Sequence, residues 1–339
     1  MAAPGPVVVV GAGVSGLACA RRLAGAGWVA EVLERGRTPG GRTADRHAGT
    51  TVADTGAQYV TATEPGFERV LRELAATGRA VAWATSLHTW TGGRITSGGR
   101  ADSGRVRWAF PDGMRTLARH LSSGLTVRTG TTVTRVERAG DGWLVHTDRA
   151  GVRPARAVVL AMPAPAAVTL AEGAGPLETL AATAARATYD PCLTLVAGYP
   201  GAAPPPWRGV FTPGHEVLSF VANDSSKRAG DGGELVLVAH ADGGWSRAHL
   251  DDGRAQARLI DAVREVTGLA RPAWTQLVHW PFAQVTGTVG EPFLLTGGPG
   301  PGGMCGDWCD GARVEGAWRS GDRLGAELAA RLTERPPPT

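Results

Sequence analysis

The sequence predicts a mixed α/β chain of two lobes, one built on a parallel sheet and the other an α+β lobe built on an antiparallel sheet. Three observations carry that reading. The apolar run Val7 to Val10 feeds directly into Gly11-Ala12-Gly13-Val14-Ser15-Gly16, a second run from Trp28 ends on Glu34, and strand-like segments recur from Leu193 to His240.

Val7 to Val10 read as a buried parallel strand. Gly11 and Gly13 permit the tight turn and the close approach of backbone to a pyrophosphate, and Gly16 lets the following helix pack on the sheet. That helix, opening at Val14 and Ser15, aims the unpaired N–H groups of its first turn at the diphosphate. Glu34 falls 18 residues after Gly16, where a carboxylate accepts bonds from both hydroxyls of an unphosphorylated ribose. Strand, helix and acid in register read as a Rossmann-like dinucleotide site.

The next segment, Arg35-Gly36-Arg37-Thr38-Pro39-Gly40-Gly41-Arg42-Thr43, is a second glycine turn with an arginine placed to reach phosphate. A simple NAD dehydrogenase has no need of it, so it favours a flavin dinucleotide. The competing reading is a Gly-Pro surface loop in a chain holding 49 glycines.

The second glycine turn resembles the GGR motif of flavin amine oxidase-type enzymes. Asp54-Thr55-Gly56-Ala57-Gln58-Tyr59-Val60-Thr61 is similar to a segment of the renalase-like FAD-dependent oxidoreductases, a branch of that superfamily. Further matches are Pro111-Asp112-Gly113-Met114, Met162-Pro163-Ala164-Pro165, Asn223-Asp224-Ser225-Ser226-Lys227, and Cys305-Gly306-Asp307-Trp308-Cys309 running on through Arg313 to Gly321. The resemblance spans nearly the whole chain. It implies a Rossmann-like FAD-binding lobe of the amine oxidase/p-hydroxybenzoate hydroxylase type, with FAD held non-covalently.

The same resemblance implies roles for individual residues. Arg35, Gly41 and Arg42 join the glycine loop and Glu34 as cofactor contacts, Val133 sits beside the adenine through its backbone, and Gly306-Asp307 bring backbone and a carboxylate to the ribityl chain. Val314-Glu315-Gly316-Ala317 open a helix carrying Leu324, Leu328 and Leu332 on one face, and its N-terminus can hold negative charge as a flavin is reduced. The segment Leu125 to His146 alternates as a hairpin turning at Gly140-Asp141-Gly142.

Composition limits the alternatives. At 339 residues and 43% hydrophobic content the chain is long enough for two lobes with full cores. A net charge of only +4, with arginines scattered and no interleaved aromatics, argues against nucleic-acid binding. No stretch approaches a membrane span and no signal-peptide pattern precedes the first strand, so a cytoplasmic protein with no membrane partner is expected. No finger-like Cys/His spacing predicts a metal. Cys305 and Cys309 flank Gly306-Asp307, where a dithiol relay is conceivable, although their spacing is not CxxC. Monomer and homodimer stay open.

The lobes are expected to interleave. Residues 1–84, 105–168 and 290–339 form the FAD-binding lobe, including a helix with Phe67, Val70, Leu71 and Leu74 on one face and a return strand at Ala157 to Ala161. Residues 85–104 and 169–289 form the substrate lobe, with strands at Leu193 to Ala197, Val217 to Ala222 and Glu234 to His240, then a helix with Leu259, Ile260, Val263 and Val266 on one face. That sheet is expected to roof the flavin. Pro204-Pro205-Pro206 marks an exposed loop and Pro336-Pro337-Pro338 ends the fold.

A flavin oxidase needs little chemistry from its protein, because the isoalloxazine takes the hydride and returns electrons to dioxygen. Seven side chains are singled out. Lys227 is the chain's only lysine, read either as a lysine near flavin N5 or as a solvated loop lysine beside Arg228, Gly230 and Gly232-Gly233. Gln58 and Tyr59 lie in a motif that relatives place against the flavin. His279 and Trp280, with His240 and Trp245, offer aromatic stacking for a flat substrate and a histidine for its edge. Here Pro281 follows where relatives carry a basic residue, which alters the substrate site.

The resemblance implies an oxidase that takes hydride from a dihydropyridine, an isomeric form of reduced NAD(P), with dioxygen reoxidising the flavin to give hydrogen peroxide. An amine oxidase or desaturase acting on a small specialised metabolite uses the same hydride step. A non-catalytic flavin or nucleotide sensor is the reading from another class.

Overall fold

The computed structural model describes residues 5–48, 51–97, 104–228 and 234–334. The chain forms two compact units, each discontinuous in sequence: residues 1–41, 117–188 and 285–339, and residues 42–116 and 189–284. Pro336-Pro337-Pro338 and Gly230, Gly232 and Gly233 lie outside the described residues.

In the first unit β1 (Val7–Val10) leads into α1 (Val14–Gly25) and then β2 (Ala30–Leu33). The return strand β3 (Ala157–Leu160) pairs with β1 in parallel, on the side away from β2. Strands Thr126–Arg128 beside β2 and Gly302–Met304 beside β3 extend the parallel sheet, and Leu294–Leu295 adds an antiparallel edge. Every residue of β1, β2 and β3 is buried, the pattern of a parallel sheet covered on both faces. The expected hairpin is Val133–Ala139 with Gly142–Thr147, turning at Gly140-Asp141. The segment after Leu125 is not part of it, because its apolar residues join β2 instead.

The C-terminal helix Val314–Glu334 lies against α1. Its leucine face is buried as the periodicity predicts, at Leu324, Leu328 and Leu332. Small residues set the approach of the two helices. A Cβ at Gly325 would stand 2.7 Å from the Cys19 carbonyl oxygen, and one at Gly321 would overlap the Ser15 carbonyl.

The second unit is built on a seven-stranded sheet. Its main strands are β4 (Thr188–Tyr199), β5 (Leu218–Asn223) and β6 (Leu235–Ala241), with helix α2 (Ala255–Thr267) and edge strand β7 (Trp274–Gly287). The order is β7, β4, β6, β5, then Gly209–Phe211, His88–Thr91 and Arg94–Ser97. Strands β4, β6, β5 and Gly209–Phe211 run antiparallel in turn, as do His88–Thr91 and Arg94–Ser97, whereas Gly209–Phe211 runs parallel to His88–Thr91. On one face Leu259, Val263 and Val266 of α2 pack on Leu193, Leu195, Val221 and Leu237, removing apolar surface from water at about 25 cal/mol per Å². Trp245 is in this core, stacked on His249 with ring centroids 4.3 Å apart, so it is a packing residue and not a platform for substrate.

On the opposite face Val196, Val236 and Val238 pack with Ala53 of strand Thr51–Asp54. That contact draws residues 42–84 and 105–116 into the second unit, whereas the sequence reading grouped them with the glycine loop. Pro281 lies exposed within β7. An edge strand accommodates proline because its outer side has no ladder bond to lose.

Candidate functional site

The first unit holds a nucleotide cradle. Gly11 has φ +106° and a Cβ there would overlap the Ala161 carbonyl oxygen, while a Cβ at Gly16 would overlap the Gly11 carbonyl. Both positions need glycine. Gly13 differs, because a Cβ there meets nothing within 4 Å, leaving open space beside the loop. Gly13 is the N-cap of α1, so the first-turn amides of Val14, Ser15 and Gly16 lack intrahelical acceptors. Open space, free amides and the positive end of a helix fit a pyrophosphate.

Glu34 closes one side of the cradle. Its Oε2 accepts from the Ala12 amide at 2.8 Å and its Oε1 from the Gly36 amide at 2.6 Å, which fixes the carboxylate at the loop while leaving it half-buried. The second glycine turn is held there as well. The Gly40 amide donates to the Ala12 carbonyl at 2.9 Å, and Gly41, at φ +54°, would bring a Cβ 3.6 Å from the Gly13 Cα. Arg35 is exposed. Val133 pairs with Thr147 at the start of the hairpin, before a bulge.

At the C-terminal motif the Gly306 amide donates to Ser320 Oγ at 3.2 Å, and Asp307 and Glu315 are both buried. Val314, Glu315 and Ala317 open the last helix as expected. Cys305 and Cys309 are free thiols buried in the first unit. Burial pushes Cys305 well above the usual thiol range and Cys309 up to about 12. Neutral, buried thiols make poor nucleophiles, and the arrangement does not suit an electron-relaying dithiol.

The second unit contains a buried ionic network. Lys227 Nζ donates to Asp54 Oδ2 at 2.9 Å, to Asp224 Oδ1 at 2.8 Å and to Gln58 Oε1 at 2.8 Å. The side chains of Lys227 and Asp54 are 0% exposed and that of Asp224 is 1%. The solvated-loop reading of Lys227 is therefore wrong: an ammonium withdrawn from water needs paired carboxylates, and it has two. All three of its N–H groups are occupied, and its Nζ also stands 5.4 Å from the Trp83 ring centroid. Arg228 adds a second cation, 2.9 Å from Asp224 Oδ2. The Met114 amide donates to Asp54 Oδ1 at 2.7 Å. Burial, ahead of the opposing pull of Lys227, raises the Asp224 pKa.

Gln58 is buried and spends its amide within the network, donating from Nε2 to the carbonyls of Asp54 and Gly56. Tyr59 is half-buried among Trp83, Phe220 and Arg107, with ring centroids 6.0 Å from Trp83. Arg42 donates to the Ala283 carbonyl at 3.3 Å. His279 and Trp280 do not act as a pair. Neighbours along a strand point to opposite faces, and His279 is exposed, lining a shallow depression of about 320 Å³ with Leu250, Asp251, Asp252 and Gln256, while Trp280 donates from Nε1 to the Thr55 carbonyl at 2.8 Å. Reading the sequence missed Asp54 and Asp224 as partners of Lys227. The available signal was that the single lysine and both acids stand within motifs already singled out.

Among the described residues no helix is long and apolar enough to cross a membrane, and no cluster of His, Cys, Asp or Glu could hold a metal. A putative protoporphyrinogen oxidase from Exiguobacterium sp. 255-15 superposes with a TM-score of 0.78 at 14% identity, covering 97% of this chain and 99% of the other. Cyclohexylamine oxidase from Brevibacterium oxydans IH-35A gives 0.72 at 15% identity, over 98% and 100%, and putrescine oxidase with bound putrescine gives 0.70 at 15%, over 97% and 100%. Residues 9–74 match the NAD(P)-binding Rossmann-like domain. Residues 84–328 match the flavin containing amine oxidoreductases. With its glycine loop, its fixed Glu34 and that match over most of its length, the chain belongs to the flavin-containing amine oxidoreductase family.

Proposed function

We propose that this FAD-dependent oxidoreductase is an oxidase whose substrates present an uncharged, nitrogen-bearing ring or amine to the flavin, with the dihydropyridine ring of an isomeric form of reduced NAD(P) as the first reading and dioxygen as electron acceptor. The observation that carries it is the charge balance of the second unit. Asp54 and Asp224, the two buried carboxylates beside Gln58, are already neutralised by Lys227 and Arg228. A cationic amine finds no carboxylate to spare there. Apart from Arg107, which lies over the Tyr59 ring, the neighbouring groups are aromatic or neutral: Tyr59, Phe220, Phe211, Trp280, His240 and Thr194.

Gly13, Val14, Ser15, Gly16 and Glu34 would hold the diphosphate and ribose of FAD without a covalent link. When bound, FAD supplies a two-electron acceptor at N5 and delivers the electrons to dioxygen, giving hydrogen peroxide. The residues of the second unit then have three tasks: Lys227 neutralises the buried acids, Gln58 is locked by Lys227, and the aromatic face excludes water and stacks a flat ring.

Amine oxidation is the second reading, favoured by the family match itself. Anaerobic stopped-flow mixing separates the two. Bleaching of the flavin band by reduced NAD containing its 2- and 6-dihydro isomers, but not by the pure 4-dihydro form or by amines, supports the first reading, provided that air then yields peroxide. Bleaching by cyclohexylamine or another amine alone replaces it with the second.

A further inference from the structure

Three neighbouring parallel strands of the first unit end level with one another, Val10 opposite Leu160 and Leu160 opposite Met304. The turns that leave them, beginning at Gly11, Ala161 and Cys305, therefore start side by side at the carboxyl edge of the sheet, where open α/β sheets take their ligands. Backbone bonds tie their first residues together: the Ala161 amide donates to the Val10 carbonyl at 2.8 Å, and the Cys305 amide to the Leu160 carbonyl at 3.2 Å. One residue further out, a side chain takes over that task.

Trp308 is 0% exposed, and its Nε1 donates to the Met162 carbonyl at 3.0 Å, joining the third turn to the second. Its ring also fills the bare side of Gly306. A Cβ there would overlap the indole at Nε1 and Cδ1, and the three nearest atoms all belong to Trp308. The polar groups of Gly306 are spent on protein as well, the amide on Ser320 Oγ and the carbonyl on the Cys309 amide, both at 3.2 Å. Its φ lies outside the left-handed region, so backbone conformation does not call for glycine. Glycine was expected here to let the backbone approach the cofactor, whereas the geometry gives that space to an indole. We propose that Trp308 is a positioning residue for FAD: its ring is what requires glycine at 306, and its bond to Met162 sets the distance between the Gly306-Asp307 turn and the turn after β3. Asp307 is buried directly beyond Gly306, so its carboxylate goes where Trp308 holds the turn. The proposal rests on FAD as the cofactor and is independent of the substrate.

The test uses the full chain freed of cofactor and titrated with FAD. Gly306→Ala is expected to raise the Kd about tenfold, because the added methyl displaces the indole and the turn with it. In a Trp308→Val background, where the space is clear, the same change is expected to cost less than about threefold, a coupling that residues in contact show. An equal loss in both backgrounds means that the methyl meets FAD itself, and overturns the proposal. Trp308→Phe keeps a flat ring over Gly306 and deletes the donor, and it decides the matter if the Val background does not fold. It is expected to weaken FAD about tenfold and to change the visible circular dichroism of the bound flavin. A bond that serves stability alone would lower the melting temperature of the cofactor-free chain while leaving the Kd within about twofold and the dichroism unaltered, which also overturns the proposal. None of these readouts uses a substrate, so a flavin that neither dihydropyridines nor amines bleach refutes the functional reading and leaves this result standing.

Discussion

Replacing Lys227 by methionine keeps the length of the side chain and removes the cation from between two buried acids. Lys227, Asp54 and Asp224 are fully or almost fully withdrawn from solvent, so screening by water does not soften the loss, and Arg228 compensates only in part from 2.9 Å on the far oxygen of Asp224. Removing one member of such a group costs about 3–5 kcal/mol, against a total stability on the order of 5–15 kcal/mol. For units of this size that is a fall in Tm of about 10 °C. The sign with pH is fixed too. Asp224 has a raised native pKa, so its contribution to stability is full below the unfolded carboxyl value of about 4 and is lost as pH rises through the native value. Without Lys227 that native value rises further, and the lesion should be deep at pH 8 and shallower at pH 5. Urea unfolding with excess FAD at both pH values measures it, and Lys227→Met combined with Asp224→Asn should recover at least half of the loss. A single variant within about 1 kcal/mol of the parent, or an equal deficit at both pH values, would refute the reasoning.

Two glycines of the nucleotide loop should separate folding from cofactor binding. Gly16→Ala should lower the stability of the cofactor-free protein, because its Cβ overlaps the Gly11 carbonyl, while Gly13→Ala, which meets no protein atom, should leave that stability unchanged and weaken FAD about tenfold by crowding the pyrophosphate; calorimetry and flavin retention on filtration read the two effects. The native thiols should resist Ellman's reagent at pH 8, because burial holds Cys192 at about 11 and Cys309 at about 12, and Cys309→Ala should reduce its flavin within about threefold of the parent rate. His279→Ala should leave reduction by any effective substrate unchanged, whereas Trp280→Phe, which strips the bond to the Thr55 carbonyl, should cost about 1 kcal/mol of stability; equal effects in kinetics and melting would mean that the two side chains share a face after all.

The cradle was legible in the sequence because its parts are local. Val7 to Val10, the three glycines and Glu34 lie within one βαβ-like stretch, and each has a backbone or charge requirement that few residue types meet. The strands from Leu193 to His240 and the apolar faces of the three amphipathic helices were legible through periodicity. The network at Lys227 was not. Its ion pairs join residues such as Asp54 and Lys227, 173 positions apart, and no local pattern records which acid folds back onto which base. Strand parity hid the parting of His279 from Trp280. Adjacent letters look like partners, yet a strand turns each to the opposite side, and only the register of β7 decides which side meets Thr55.

The seating of Gly321 against Ser15 orders events in time. The helix that opens the nucleotide loop is complete within the first 25 residues, but the backbone it rests on lies about 300 residues further on, and at ~5–20 residues per second a ribosome needs on the order of 15–60 s to deliver it. Until then α1 presents its glycine and small-residue side to whatever surrounds the nascent chain. The first helix of the nucleotide loop therefore takes its final seat only after the last helix of the chain has been made.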